Sequence, residues 1–196
     1  MAPPAARGPD VDPEFDLGAV ERCLAGDPQA FAAVVARHAP AVHGICLRMV
    51  GNRAVAEELA QEAFAKAYSG LGSFRGESGV RHWLLRIALN LCRDYLKAGE
   101  RRESAAELVD EDEPASDAPG PERLAEGRQA VRALEAAIRK LPPTYREAFL
   151  LRHVEELSYE EIQAVLGGKL SMLKVRVFRA REQLRVLLGA AQEEER

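Results

Sequence analysis

Residues 157–181, LSYEEIQAVLGGKLSMLKVRVFRAR, carry the signals that set the architecture. Ser158 followed three positions later by Glu161 is a capping box: the hydroxyl accepts from the Glu161 backbone N–H while the carboxylate reaches back to the Ser158 N–H. The helix begun there should run to Leu166, where Gly167 and Gly168 supply the left-handed backbone that ends a helix without a Cβ penalty. Ser171 offers an N-cap for a longer second helix. About nine helical residues, a glycine turn and a second helix make a helix-turn-helix. At helical spacing Leu173, Val177, Ala180, Leu184 and Leu187 form one stripe that must face a core. The opposite arc holds Ser171, Met172, Lys174, Val175, Phe178 and Arg179, flanked by Lys169, Arg176, Arg181 and Arg185. Cations mixed with apolar groups suit a DNA major groove, where Lys and Arg meet phosphates or guanine edges and Val175 and Phe178 meet thymine methyls or sugars. The alternative is a solvated cationic helix whose Phe178 rests on another domain.

Outward from this motif, proline divides the chain, because it lacks a backbone donor and clashes inside a helix. Pro3, Pro4, Pro9 and Pro13 occupy a first tail, Pro28 and Pro40 follow, and Ala41 to Glu113 is free of proline and rich in helix formers. The segment DEDEPASDAPGP, residues 110–121, has three prolines and no large apolar side chain. It cannot bury enough surface to offset its ordering entropy. Helical periodicity resumes at Arg128 and breaks once, at Pro142 and Pro143. The expectation is an all-α chain of two small helical domains joined by a flexible acidic linker. Residues 1–26 are the tail and the start of a first helix, 27–100 one domain, 101–126 the linker, 127–188 the helix-turn-helix domain and 189–196 an acidic tail.

In the first domain, Ala56, Leu59, Ala60, Ala63 and Ala67 share a helix face, and Glu57, Glu58, Gln61 and Glu62 gather on another. That acidic face is either a solvated surface or a dock for a basic partner. From Val80 to Lys97 a helix is apolar around most of its girth. Its remaining stripe is His82, Arg86, Asn90, Arg93 and Lys97. Such a stripe suits phosphate and base contacts, or merely keeps the domain soluble. The preceding loop, Gly70 to Gly79, carries Phe74 and Arg75, a ring and a cation able to hold an unstacked base.

The 196 residues carry 27 Lys and Arg against 31 Asp and Glu, a formal charge of −4 that on its own speaks against nucleic acid. The acid is unevenly placed. Residues 27–100 hold 9 basic and 7 acidic side chains and residues 127–188 hold 12 and 7, whereas residues 101–126 hold 3 and 9. Both expected domains are therefore net basic. No uninterrupted apolar run reaches the roughly 20 residues of a membrane span. The N-terminal stretch has no apolar signal core, so the chain is expected in the cytoplasm. Cys23, Cys46 and Cys92 form no CxxC pair and read as core thiols, Cys23 being the one near a chain end where a redox role is open. His38, His43, His82 and His153 are too dispersed for a metal site, and no nucleophile, base and orienter group together. Neither a cofactor nor catalysis is expected.

The stretches AEELAQEAFAKAYSGLGSFRGESGVRHWLLRIALNLCRDYLK and LPPTYREAFLLRHVEELSYEEIQAVLGGKLSMLKVRVFRAREQLR resemble the two domains of bacterial extracytoplasmic function sigma factors, the compact branch of the sigma-seventy family. The likeness covers about residues 27–98 and 127–188. It implies a non-catalytic subunit that binds core RNA polymerase, recognises promoter DNA and helps melt it. By the same likeness Glu58, Gln61 and Glu62 dock on the clamp helices of the polymerase large subunit. Phe74 and Arg75 fall in the loop that captures a flipped base, and His82 to Lys97 on the helix that reads the minus-ten element. Leu166 to Arg181 read the minus-thirty-five element, the acidic linker threads near the polymerase cleft, and an anti-sigma factor is an implied partner. Lys169, Ser171-Met172 and Val175 depart from the family's usual Pro, Gly-Thr and Ser or Thr, which implies a shifted promoter preference. A dimeric helix-turn-helix regulator would explain the C-terminal domain alone, and a sigma-like adaptor would explain lost hydroxyl contacts.

Overall fold

The computed structural model describes residues 13–76, 78–105 and 122–194. The first tail and DEDEPASDAPGP lie outside them. Among the described residues there are eight α-helices, one 3-10 turn and no strand. Four helices build an N-terminal body: α1 (Pro13–Leu24), α2 (Ala30–Val50), α3 (Arg53–Gly70) and α4 (Gly79–Ala105), with the 3-10 turn Leu71–Ser73 between the last two. Four more build a C-terminal body: α5 (Glu122–Arg139), α6 (Pro143–His153), α7 (Tyr159–Leu166) and α8 (Leu170–Glu194).

The N-terminal core forms where α2, α3 and α4 meet. Val34, Val42, Ile45 and Met49 of α2 pack with Leu84, Leu85 and Leu89 of α4, all buried. The face of α3 that joins them is mostly alanine, which carries no side-chain entropy to lose and lets backbones approach closely. Asn52 starts α3 by accepting from the Val55 N–H at 3.1 Å. Gly51 ends α2 in the left-handed region, φ 77°, and a Cβ there would meet Arg139 Cδ at 2.5 Å. The left-handed turn is what favours glycine here, since the exposed Arg139 side chain can move aside. Burial of each large aliphatic side chain contributes about 1.5–3 kcal/mol.

Pro40 departs from the expectation that proline marks helix ends, for it sits inside α2. It lies on the exposed side, so the missing donor and the ring cost local hydrogen bonding, while the opposite face of the helix stays packed on α3 and α4. α2 is also long and apolar enough by composition to cross a membrane. Here its apolar face is the core of the N-terminal body, and its His38 is buried beside Asp16 of α1 at 2.9 Å. That pair ties α1 into the body, ahead of residue 27. Cys46 and Cys92 are buried core thiols, and Cys23 is half-buried.

The linker expectation also meets helix at both edges. α4 continues to Ala105 and α5 begins at Glu122, because ERRES and ERLAE are good helix formers, whereas the proline-rich centre is not.

In the C-terminal body, Pro143 opens α6 at a first-turn position where its missing donor is unneeded. The box at Ser158 and Glu161 forms in both directions, at 2.7 and 3.2 Å. Gly167 and Gly168 have φ of 72° and 84°. Ser171, by contrast, is not the cap of the next helix. α8 begins at Leu170, with the Lys169 carbonyl accepting from Met172 and Leu173 N–H, so Ser171 falls within its first turn. Two consecutive left-handed glycines complete the reversal before Ser171 is reached.

The relative placement of the two bodies, open from sequence, is a packed one. A continuous cluster of buried side chains runs from Val34, Ile45 and Leu84 to Leu141, Leu150 and Leu173. Arg146 of α6, itself buried, donates to the carbonyls of Met49, Arg139 and Leu141, and so bolts the end of α2 to the α5–α6 turn.

Candidate nucleic-acid interface

On α8 the sequence periodicity translates directly into exposure. Leu173, Val177, Ala180 and Leu184 are buried and Leu187 is half-buried. Lys169, Ser171, Met172, Lys174, Val175, Phe178 and Arg179 are all exposed, the apolar ones strikingly so for their type: Phe178 is 56% exposed and Val175 55%. Phe178 does not enter a core, which removes the bland explanation of this residue within the chain itself. Arg176 is half-buried, with Glu147 Oε1 3.7 Å from its guanidinium and Met172 Sδ at 3.7 Å.

α4 behaves differently. Arg86, Asn90 and Lys97 are exposed, yet Arg86, like the half-buried His82 and Arg93, reaches a partner in the C-terminal body. His82 lies 3.8 Å from Glu161. Arg86 donates to the carbonyls of Val165, at 3.2 Å, and Ala164. Arg93 pairs with Glu147 at 3.1 Å and donates to Asn90 Oδ1 at 2.8 Å. The expected continuous outward stripe is thus divided, with three of its five members engaged by α6 and α7.

Beside the stripe is a cleft of about 320 Å³ lined by Lys66, Ser73, Trp83, Ile87, Asn90 and Asp94 among others. Phe74 forms part of its setting. Its ring packs on Trp83, centroids 4.8 Å apart, so Phe74 is a half-buried support and not a ring held out in solvent; Arg75 is exposed. The cleft is open on one side and at the small end of ligand sites. Asn90 brings a paired donor and acceptor, Trp83 an aromatic wall, Lys66 a cation and Asp94 an acceptor.

Glu57, Glu58, Gln61 and Glu62 all lie exposed on α3, with Glu57 at 3.2 Å from Arg53 and Glu62 at 2.9 Å from Lys66. Surface pairs of this kind contribute little to stability, about 0–1 kcal/mol, so the cluster is free to serve a partner.

A helix-turn-helix with an open cationic arc, a second cationic helix and an aromatic cleft occur in one chain, and both bodies match one family. Sigma-70 region 2 matches residues 34–102, and sigma-70 region 4 matches residues 131–184. The chain belongs to the sigma-70 family. It is 37% identical over 176 residues to the RNA polymerase sigma-H factor of Pseudomonas aeruginosa, covering 86% of this chain and 91% of that protein. To the extracytoplasmic function RNA polymerase sigma-E factor of Escherichia coli it is 36% identical over 170 residues, 83% and 88% of the two chains. In structure it resembles CnrH, solved in complex with the cytosolic domain of CnrY, with a TM-score of 0.67, 25% identity and 92% and 99% coverage. The sigma factor RpoE of Bartonella quintana, solved with the anti-sigma factor NepR, shares the fold at a TM-score of 0.66, 24% identity and 81% and 96% coverage. This sigma factor is of the extracytoplasmic function type, a transcription-initiation protein with two helical domains.

Sequence reading missed Trp83, Lys66 and Asp94 in the cleft and Glu147 between the two bodies. Asp94 and Trp83 border the cationic stripe at helical spacing and were within reach of a helical-wheel argument. Glu147 was not, since its partners come 54 residues before it and 29 after it along the chain.

Proposed function

We propose that this sigma factor divides its work among four surfaces. The outer arc of α8, with Lys169, Ser171, Met172, Lys174, Val175, Arg176, Phe178 and Arg179, reads the minus-thirty-five promoter element. The α4 stripe, His82, Arg86, Asn90, Arg93 and Lys97, with Phe74 and Arg75, reads and melts the minus-ten element, and the Trp83–Asn90 cleft takes a flipped base. Glu58, Gln61 and Glu62 on α3 dock on the clamp helices of the polymerase large subunit. Residues 101–126 bridge domains 27–100 and 127–188 through the polymerase cleft. RNA synthesis stays with the polymerase, so this subunit has no catalytic residue of its own, and it works in the cytoplasm. An anti-sigma factor, the kind of partner that accompanies the solved relatives, is its expected regulator.

The observation that carries this reading is the arc of exposed cationic and apolar side chains, Lys169, Met172, Lys174, Val175, Phe178 and Arg179, at the start and along the outer face of α8, placed in the same chain as an aromatic cleft beside cationic α4. An operator-binding repressor needs the first and has no use for the second. Runoff transcription with core polymerase and a pool of genomic promoters is the test. Promoter-specific transcripts that depend on this chain support the reading; polymerase binding without such transcripts favours an adaptor, and DNA binding without polymerase binding favours the repressor. Reversing charge at Glu58 and Glu62 should weaken core binding and leave contacts of α8 with DNA unchanged.

A further inference from the structure

The side chain at the centre of the α8 arc has no hydrogen-bonding group. Leu173, Val177, Ala180 and Leu184 are buried and fix the direction in which α8 faces its own core; at about 100° per residue, Val175 lies within about 10° of the opposite direction. Its neighbours in the chain turn to the sides. Lys174 lies over the half-buried Tyr159 ring of α7, its Nζ 5.5 Å from the ring centroid. Arg176 is half-buried, with Glu147 Oε1 and Met172 Sδ each 3.7 Å away. Both cations thus have partners within the chain, and Val175 between them stays exposed. Met172 and Phe178, also exposed, border it. The arc is apolar in the middle and cationic at its flanks.

A helix in a DNA major groove sets the middle of its outer face against base edges and its flanks toward the phosphates. On the groove floor guanine, adenine and cytosine present only polar groups, whereas thymine adds a C5-methyl. An aliphatic side chain pressed on a polar edge displaces water and returns no hydrogen bond, which costs affinity. Pressed on a methyl, it buries apolar surface on both partners. Valine is also stiff at χ1 within a helix, so its surface is placed in advance and little rotamer freedom is lost on contact. Resting on the reading of α8 as the upstream-element reader, we propose that Val175 is a specificity-determining residue that selects thymine through its C5-methyl group, with Met172 and Phe178 excluding water around the contact. The preferred upstream element therefore carries a thymine opposite Val175, distinguished by a methyl and not by a hydrogen-bond pattern.

The test uses holoenzyme formed from the full chain and core polymerase, on a promoter that yields a transcript from the genomic pool. Each thymine of its upstream element, on either strand, is replaced in turn by deoxyuridine, which loses the methyl and keeps every hydrogen-bonding group. Competition binding should show a position at which the replacement weakens binding about three- to five-fold, the loss expected for one buried methyl. Val175→Ala should bind the thymine and deoxyuridine promoters alike, and Val175→Ile, which keeps an aliphatic surface, should retain the distinction. Lys174→Ala, at a flank, should weaken both promoters by the same factor. Because Val175 is exposed, these substitutions leave the core stripe of α8 in place, and circular dichroism checks that each variant folds. An upstream element without thymine, deoxyuridine tolerated at every position, or a distinction that survives Val175→Ala overturns the proposal, even where Arg179→Ala still alters promoter preference. Failure of the underlying reading looks different: binding and transcription are then indifferent both to Arg179→Ala and to replacement of the whole upstream element, and the proposal falls with it.

Discussion

The two cationic helices, α4 and α8, are built alike and presented oppositely. Each seats an aliphatic stripe, Leu84 and Leu91 in one and Leu173 and Leu184 in the other, and turns cations away from it. On α8 those cations, Arg176 apart, meet solvent, together with Val175 and Phe178. On α4, Arg81, Arg86 and Arg93 meet Glu155, the end of α7 and Glu147. A helical period states which residues share a face. What covers the face is decided by tertiary packing, and here by a body more than 50 residues away in sequence.

The difference can be broken first at its foundations. Leu84 is fully buried where α4 seats on the N-terminal core. Leu84→Ala should lower stability by about 2–5 kcal/mol, measured by urea unfolding, and should impair transcription through α4 more than it impairs DNA contacts of α8. An effect below about 1 kcal/mol would mean that α4 is not held by this core. Next comes the exposed arc of α8. Arg179→Ala should reduce preference for the upstream element by about 1–3 kcal/mol in competition binding, whereas loss of a phosphate-bound Lys174 should weaken all sequences alike. Equal losses on every promoter would make Arg179 a backbone contact.

A smaller effect is expected at the box that starts α7. Ser158→Ala should cost about 1 kcal/mol of stability, and because Arg86 caps the other end of the same helix, it should also loosen the packing of α7 on α4. The smallest expected effect is on pH. Burial, then Arg181 and Arg152, lower the His153 pKa from its ordinary 6.5. The folded chain thus favours the neutral ring. The stability this contributes is complete above pH 6.5 and is lost as pH falls through the lowered folded value. His153→Asn should therefore flatten the fall in melting temperature between about pH 7 and 5. An unchanged slope would assign that fall to other groups.

Much of α7 and α8 was legible in sequence because local rules decide it. The capping box, the glycine turn, the buried stripe and the exposed arc all follow from neighbours within four residues, and the structure has each of them. The departure at Ser171 is also local, because the glycine turn closes two residues early and leaves the cap position to Lys169, whereas Pro40 entered α2 because tertiary packing holds the helix's other faces. The alanine and acidic faces of α3 were legible for the same reason. The cleft was half legible: Phe74 was singled out, but Trp83, which supports it, read as one more apolar residue of α4. The contact between the two bodies could not be read at all. Glu147 sits in a stretch, REAF, with nothing to distinguish a buried acid from a solvated one until Arg93 and Arg176 converge on it.

The unlike exposure of the two cationic helices is tested most directly by a distance. Spin labels at Tyr95→Cys in α4 and Gln163→Cys in α7, in a Cys23→Ser chain, would be compared with the same labels in a chain that also carries Arg86→Ala and Arg93→Ala. The packing of α7 and α6 on α4 predicts one narrow, short separation without those two substitutions and a longer or broader one with them. The same distribution in both, or a broad one without the substitutions, would contradict it.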